Sequence, residues 1–155
     1  MTSEEVKRVQ DILDKFGLRN RVIELPSSTK SAREAASAIG CRVEQIAKSI
    51  IFKTHTGKAV LVIASGANRV NERKIEEVVG EFVKKADPQF VLNETGFKVG
   101  GVPPVGHLKK PLTFIDRDLM KYQEIWAAGG SSNAVFKLTP QELLNITGGE
   151  VICVK

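Results

Sequence analysis

The sequence predicts a mixed α/β fold with a curved, largely closed sheet flanked by helices. Three observations lead there. About seven short strand-like runs are interspersed with five or six helical stretches in no strict strand-helix-strand alternation. A chain of 155 residues that is 42% hydrophobic is long and apolar enough to bury one core. No repeat, linker or low-complexity run interrupts residues 1–155, so a single domain is expected.

The elements follow in order. Thr2 or Ser3 caps the first helix, and Thr2 with Glu5 has capping-box spacing. Val6, Val9, Ile12, Leu13 and Phe16 form its apolar stripe, and Gly17 ends it. Val22 to Leu25 reads as a strand stopped by Pro26. Ser31 with Glu34 opens an alanine-rich helix that closes at Gly40, and a short third helix is expected from Val43 to Ala47. Ser49–Lys53 and Ala59–Ala64 are strands joined through Gly57 as a hairpin. Asn71 caps a helix carrying Ile75, Val78 and Val79. Asp87-Pro88 starts another, ended by Gly96. Phe97 to Val102 reads as a short strand broken by paired glycines. Leu112–Ile115, Glu124–Ala127 and Ala134–Leu138 are strands. Thr139-Pro140-Gln141-Glu142 begins a last helix that ends at Gly148, and Val151–Val154 closes the chain as a strand.

Composition narrows the function. A net charge of +5 favours a polyanionic partner such as nucleic acid, although it also serves plain solubility. Cys41 and Cys153 are far apart and outside any C-x-x-C spacing, which argues against a zinc site and a disulfide scaffold. His55 and His107 stand in unrelated loops, so ligands for a catalytic metal are lacking, and no cofactor motif is present. The first residues lack the basic start and apolar run of a signal peptide, and no stretch approaches the ~20 apolar residues that span a bilayer. A reducing cytoplasm is the expected setting, with no membrane partner.

Lys48 stands between Ile46-Ala47 and the apolar run Ile50-Ile51-Phe52, where a helix is expected to run into a strand. It is either a partly desolvated donor inside a cleft or a surface lysine whose stem lies over the helix end. Gly100-Gly101 marks either a close backbone approach to a ligand or a structural bulge. Pro103-Pro104 donates no amide hydrogen and frames that turn rigidly. His107 is a candidate site residue or an exposed loop histidine. Asp116 either orients a ligand amine or caps the turn from Asp118 to Lys121. Gly129-Gly130-Ser131-Ser132 either presents amides and hydroxyls to a ligand or is a plain loop. There is no Walker sequence, no G-x-G-x-x-G and no G-x-S-x-G elbow.

Taken in order, Gln45-Ile46-Ala47-Lys48-Ser49-Ile50-Ile51-Phe52, Gly100-Gly101-Val102-Pro103-Pro104-Val105-Gly106, Phe114-Ile115-Asp116, Ala128-Gly129-Gly130 and Leu138-Thr139-Pro140-Gln141-Glu142-Leu143-Leu144 resemble the YbaK-like aminoacyl-tRNA deacylases. These are free-standing relatives of the editing domain inserted in bacterial prolyl-tRNA synthetases. The resemblance runs from about Val6 to Val154. It implies a barrel-like mixed sheet and hydrolysis of the ester joining a wrong amino acid to a tRNA 3′ end. It also implies that Lys48 is the functional lysine, that Gly100 and Gly101 face the aminoacyl group, and that Asp116, Ala128, Gly129 and Gly130 complete the pocket wall. A mischarged tRNA, with or without a synthetase, is the implied partner.

Two departures bear on the substrate. Ala127-Ala128-Gly129-Gly130 stands where some members, including the Cys-tRNA(Pro) type, have Ser-Ala-Gly, and Pro103-Pro104 stands where others have Ser-Pro. They point to alanine, serine or threonine rather than cysteine. The ester is already activated, so positioning and oxyanion stabilisation are the main tasks. Lys48 would hold the terminal phosphate or the carbonyl region, amides near Gly100-Gly101 and Gly130 would support the oxyanion, and a ribose hydroxyl would position water. The competing expectations are a Cys-tRNA(Pro) deacylase, a module that binds aminoacyl-tRNA or a synthetase without cleaving, and a small-molecule esterase, for which no nucleophile is presented.

Overall fold

The computed structural model describes residues 3–155, so the expected capping role of Thr2 lies outside the described residues. Helix α1 (Glu4–Lys15) is capped by Ser3, whose side chain accepts the Val6 amide. It buries Val6, Val9 and Leu13. Strand β1 (Val22–Glu24) leads to α2 (Ala32–Ile39), where the Ser31 hydroxyl accepts the Glu34 amide and Gly40 closes the helix at φ 84°. The expected third helix is only a 3₁₀ turn, Val43–Gln45. Strand β2 begins at Ile46 and runs to Thr54, so Lys48 lies inside a strand and not at a helix junction. The reason is the β-branched, apolar content of Ile46 to Phe52, which pairs along almost its whole length with β3 (Ala59–Ser65).

After α3 (Glu72–Val79), the chain forms a strand that the sequence pattern did not reveal, β4 (Val83–Lys85). Three residues with only Val83 buried carry too little alternation to stand out. Helix α4 (Pro88–Thr95) is capped by Asp87. Residues 97–106, expected to include a strand, form an irregular loop. Gly100 and Gly106 adopt φ 97° and 86°, outside the extended region of a regular ladder, and Pro103-Pro104 has no amide hydrogens. Phe97 at its start is nonetheless fully buried in the core. The remaining elements are β5 (Leu112–Asp116), β6 (Ile125–Ala128), β7 (Ala134–Leu138), α5 (Pro140–Thr147) and β8 (Glu150–Ile152).

The strands form one mixed sheet in the order β1-β7-β6-β2-β3-β5-β8, with β4 also on β2. Five helices flank it. The two terminal strands of this path, each of three residues, do not pair with one another, so the curved sheet stays open instead of largely closed. The main core, including Val9, Leu13, Leu61, Phe97, Ile115 and Phe136, lies between one face and α1, α5 and the 97–106 loop. Ile75, Val62, Val60 and Phe114 form a second cluster.

One feature of the topology makes room for a site. Strand β3 occupies one edge of β2 from Ala47 to Lys53. The opposite edge is shared: β6 pairs only with Ile46 and Ala47, and β4 only with Phe52 to Thr54. Between them, among the described residues, Lys48, Ser49 and Ile50 have no strand partner on that side.

Candidate functional site

A cavity of about 620 Å³ runs along this open edge. Every residue from Ile46 to Ile51 lines it. Successive strand residues point to opposite faces, so the cavity reaches both faces of the sheet. The segment preceding α2, the α2 N-terminus, α4, the 99–102 loop, the end of β4, β6 and β7 supply most of the rest of the wall.

Of the residues expected at a site, Lys48, Gly100 and Ala128 line this cavity together. Lys48 Nζ lies 3.5 Å from the Gly66 carbonyl, to which it donates. Burial lowers its pKa below the ordinary lysine value. Nearby Lys85 adds to this, and Asp116 opposes it. Gly100 packs near the stem of Lys30. Ala128 stands on β6, whose Trp126 is paired with Ile46.

The other expected residues sit behind this wall or away from it. A β-carbon on Gly101 would come within 2.7 Å of the Ser131 carbonyl carbon, so the two glycine-bearing turns touch backbone to backbone. A β-carbon on Gly129 would sit 3.0 Å from the Val22 Cγ1, and one on Gly130 2.9 Å from the Glu5 carbonyl oxygen. Asp116 is 1% exposed. Its carboxylate accepts the Ser65 amide at 3.0 Å, the Asn68 side chain at 2.8 Å and the Asp118 amide at 2.9 Å. It thereby ties the end of β5 to the turn after β3. His107 lines a separate cavity of about 270 Å³ beside Ile12 and Ile146. Its Nε2–H donates to the Pro103 carbonyl at 2.7 Å, and its ring meets Phe97 edge-on. Burial lowers its pKa.

Sequence reasoning missed the rest of the cavity. Lys30, Arg33 and Lys85 join Lys48 on its walls, and among the described residues no Asp, Glu, His or Cys lines it. None of the four cations is ion-paired with a carboxylate among the described residues. Ser49, Gly66 and Trp126 also line it. The adjacency of Lys30 and Arg33 to the Ser31 cap was the one available signal, since a helix N-terminus with two cations favours an anion. Among the described residues, no group of three His, Cys, Asp or Glu is placed to hold a metal ion, and no helix is long and apolar enough to cross a membrane.

An open, cationic cavity on a mixed sheet describes many proteins. The family model for the aminoacyl-tRNA editing domain matches residues 26–146. The chain belongs to that family. The editing domain so identified includes β2, the cavity and every site residue discussed above. The chain is 30% identical over 146 residues to the uncharacterized protein YwhH of Bacillus subtilis (strain 168), covering 94% of this chain and 93% of that one. It is 31% identical over 91 residues to a proline–tRNA ligase of Brachyspira hyodysenteriae (strain ATCC 49526 / WA1), covering 58% of this chain and 16% of the ligase. A solved structure described as a candidate trans-editing enzyme for prolyl tRNA synthetase superposes with a TM-score of 0.93 at 44% identity, over 100% of this chain and 99% of that one.

Proposed function

We propose that this editing domain, as a single domain over residues 1–155, deacylates tRNA carrying a small wrong amino acid, namely alanine, serine or threonine. The observation that carries the reading is the cavity itself: Lys30, Arg33, Lys48 and Lys85 face it without a single carboxylate. That field suits the phosphates of a nucleic acid end. Its volume lies within the range that takes a nucleoside-sized ligand, well beyond an amino-acid side chain alone.

Among the described residues the wall holds no carboxylate, imidazole or thiol, so the chain contributes orientation and charge. Water attacks the ester carbonyl carbon. The bond from that carbon to the ribose oxygen breaks, and a proton passes to the departing oxygen, leaving free amino acid and tRNA. The neighbouring ribose hydroxyl of the substrate positions the water. Lys48 stabilises the negative charge that develops on the carbonyl oxygen or holds the terminal phosphate, with amides of the Gly100 turn beside it. The similarity to a candidate trans-editing enzyme for prolyl tRNA synthetase supports mischarged tRNA(Pro) as a substrate and a synthetase as a functional partner. Such work would take place in the cytoplasm.

The test is release of free amino acid from alanyl-, seryl-, threonyl-, cysteinyl- and prolyl-tRNA. Faster turnover of the first three is expected. A clear preference for cysteinyl-tRNA overturns the specificity, and binding without release on any member replaces the enzyme with a binding module.

A further inference from the structure

Among the described residues, three that carry a side-chain hydroxyl line the cavity: Thr29, Ser31 and Ser49. Two are committed. Thr29 Oγ1 donates to the Ser132 carbonyl at 3.0 Å, and Ser31 Oγ accepts the Glu34 amide at 3.1 Å. Ser49 Oγ is buried and has no hydrogen-bond partner among the described residues. Buried hydroxyls are ordinarily satisfied, because leaving one unpaired forfeits its bonds to water.

The surroundings indicate what would pair with it. Ser49 shares its face of β2 with Ala47 and Ile51, and both belong to the main apolar core. Val91 and Val102 of that core line the same cavity. Lys48 points to the opposite face, where Ile46 and its pairing partner Trp126 lie. The cavity therefore has Lys48 on one side of β2 and residues of the apolar core on the other, and beside those apolar residues Ser49 carries a hydroxyl that no described residue pairs. A phosphate or ribose has no reason to enter an apolar recess. An aminoacyl side chain does.

We infer that Ser49 reads a hydroxyl on the substrate's amino-acid side chain, so that seryl and threonyl esters are preferred over alanyl ones. This rests on the deacylase reading above and narrows its substrate. The serine hydroxyl both donates and accepts and turns freely among staggered positions, so it meets a serine or threonine hydroxyl in either sense. An alanyl ester leaves it unpaired.

The experiment measures single-turnover deacylation of alanyl-, seryl- and threonyl-tRNA by the wild type and by Ser49→Ala, Ser49→Thr and Ser49→Val. Folding is checked by circular dichroism. Threonine and valine have nearly the same shape and differ by the hydroxyl. The seryl-to-alanyl rate ratio is expected to exceed one in the wild type, to persist in Ser49→Thr, and to fall ~2- to 10-fold in Ser49→Ala and Ser49→Val. An unchanged ratio in Ser49→Ala with all esters still cleaved overturns the Ser49 assignment alone. Failure of the wild type to cleave any of the three overturns the deacylase reading and this inference with it.

Discussion

Gly101 lies against the backbone of Ser131, so close that a β-carbon at position 101 would stand 2.7 Å from the Ser131 carbonyl carbon and 2.9 Å from its Cα. The 97–106 loop and the turn after β6 thus brace each other. Their separation fixes where Gly100 and Ala128 stand on the cavity wall.

Substitution at Gly101 is therefore expected to cost more than at Gly57, which has positive φ but open space around it. Gly101→Val forces two backbones apart and should destabilise by about 3 kcal/mol or more. Gly57→Val should cost about 1–2 kcal/mol of backbone strain. Urea denaturation gives both values. Deacylation should fall far more in Gly101→Val, because the loop that carries Gly100 moves. Equal losses would mean that the contact yields easily.

Lys48→Ala should leave the domain folded and lower deacylation by about 100-fold or more, the scale seen when a hydrogen-bond donor to a developing oxyanion is removed. Folding should survive because the lysine contributes one long hydrogen bond, of 3.5 Å, and burial already disfavours its charge. Thermal melting and single-turnover assays on the same preparation check both halves. A folded variant with the wild-type rate removes Lys48 from the mechanism.

The cationic wall predicts salt dependence. Log affinity for tRNA should fall linearly with log salt, and Arg33→Ala or Lys85→Ala should each reduce the slope by ~0.7 if each neutralises one phosphate of a single-stranded end. Gel shift or anisotropy between low and moderate salt measures this. Unchanged slopes would place the nucleic acid on another surface.

His107 predicts an acid-sensitive fold. Its folded pKa lies below its usual value of 6.5, mainly through burial, so the unfolded chain takes up the proton more readily. Stability from this group is fully present above pH 6.5 and is lost as pH falls through that value toward the folded pKa. The lowered pKa values of Asp118, Glu142 and Glu81 act from below 4.5, outside this window. Denaturation midpoints measured from pH 7.5 to 5 should decline in the wild type. The decline should flatten in His107→Gln, and an equal slope in both would clear His107.

The parts of this fold that were legible in the sequence are those set by local chemistry. Ser31, Asn71, Asp87 and Thr139 each cap the expected helix, because a capping bond spans only two or three residues. The β2–β3 hairpin was legible for the same reason. What escaped depends on partners distant in the chain. Strand β4 is held by Phe52 to Thr54, and without them Val83-Lys84-Lys85 carries no strand signal. The same applies to the site. Lys48, Gly100 and Ala128 were recognised by motif. Lys30, Arg33, Lys85 and Trp126 reach the cavity only because α2, β4 and β6 converge on β2. Asp116 was read both as a ligand-orienting group and as a cap, and its bonds to Ser65, Asn68 and Asp118 include that cap.

The shared edge of β2 also bears on when the site comes into existence. Its two sides are closed by strands of very different sequence separation: β4 lies about thirty residues downstream, whereas β6 pairs Ile46 with Trp126, eighty positions away. The β6 neighbour β7 is itself bound to β1, with Val22 opposite Phe136. Closing loops of that length costs chain entropy before any contact repays it, so such pairings form late. A folding intermediate that holds only the β2–β3 hairpin has half a wall and no recess. Substrate binding should therefore appear with the slowest folding phase, and a ligand that fills the gap stabilises the long-range pairings most.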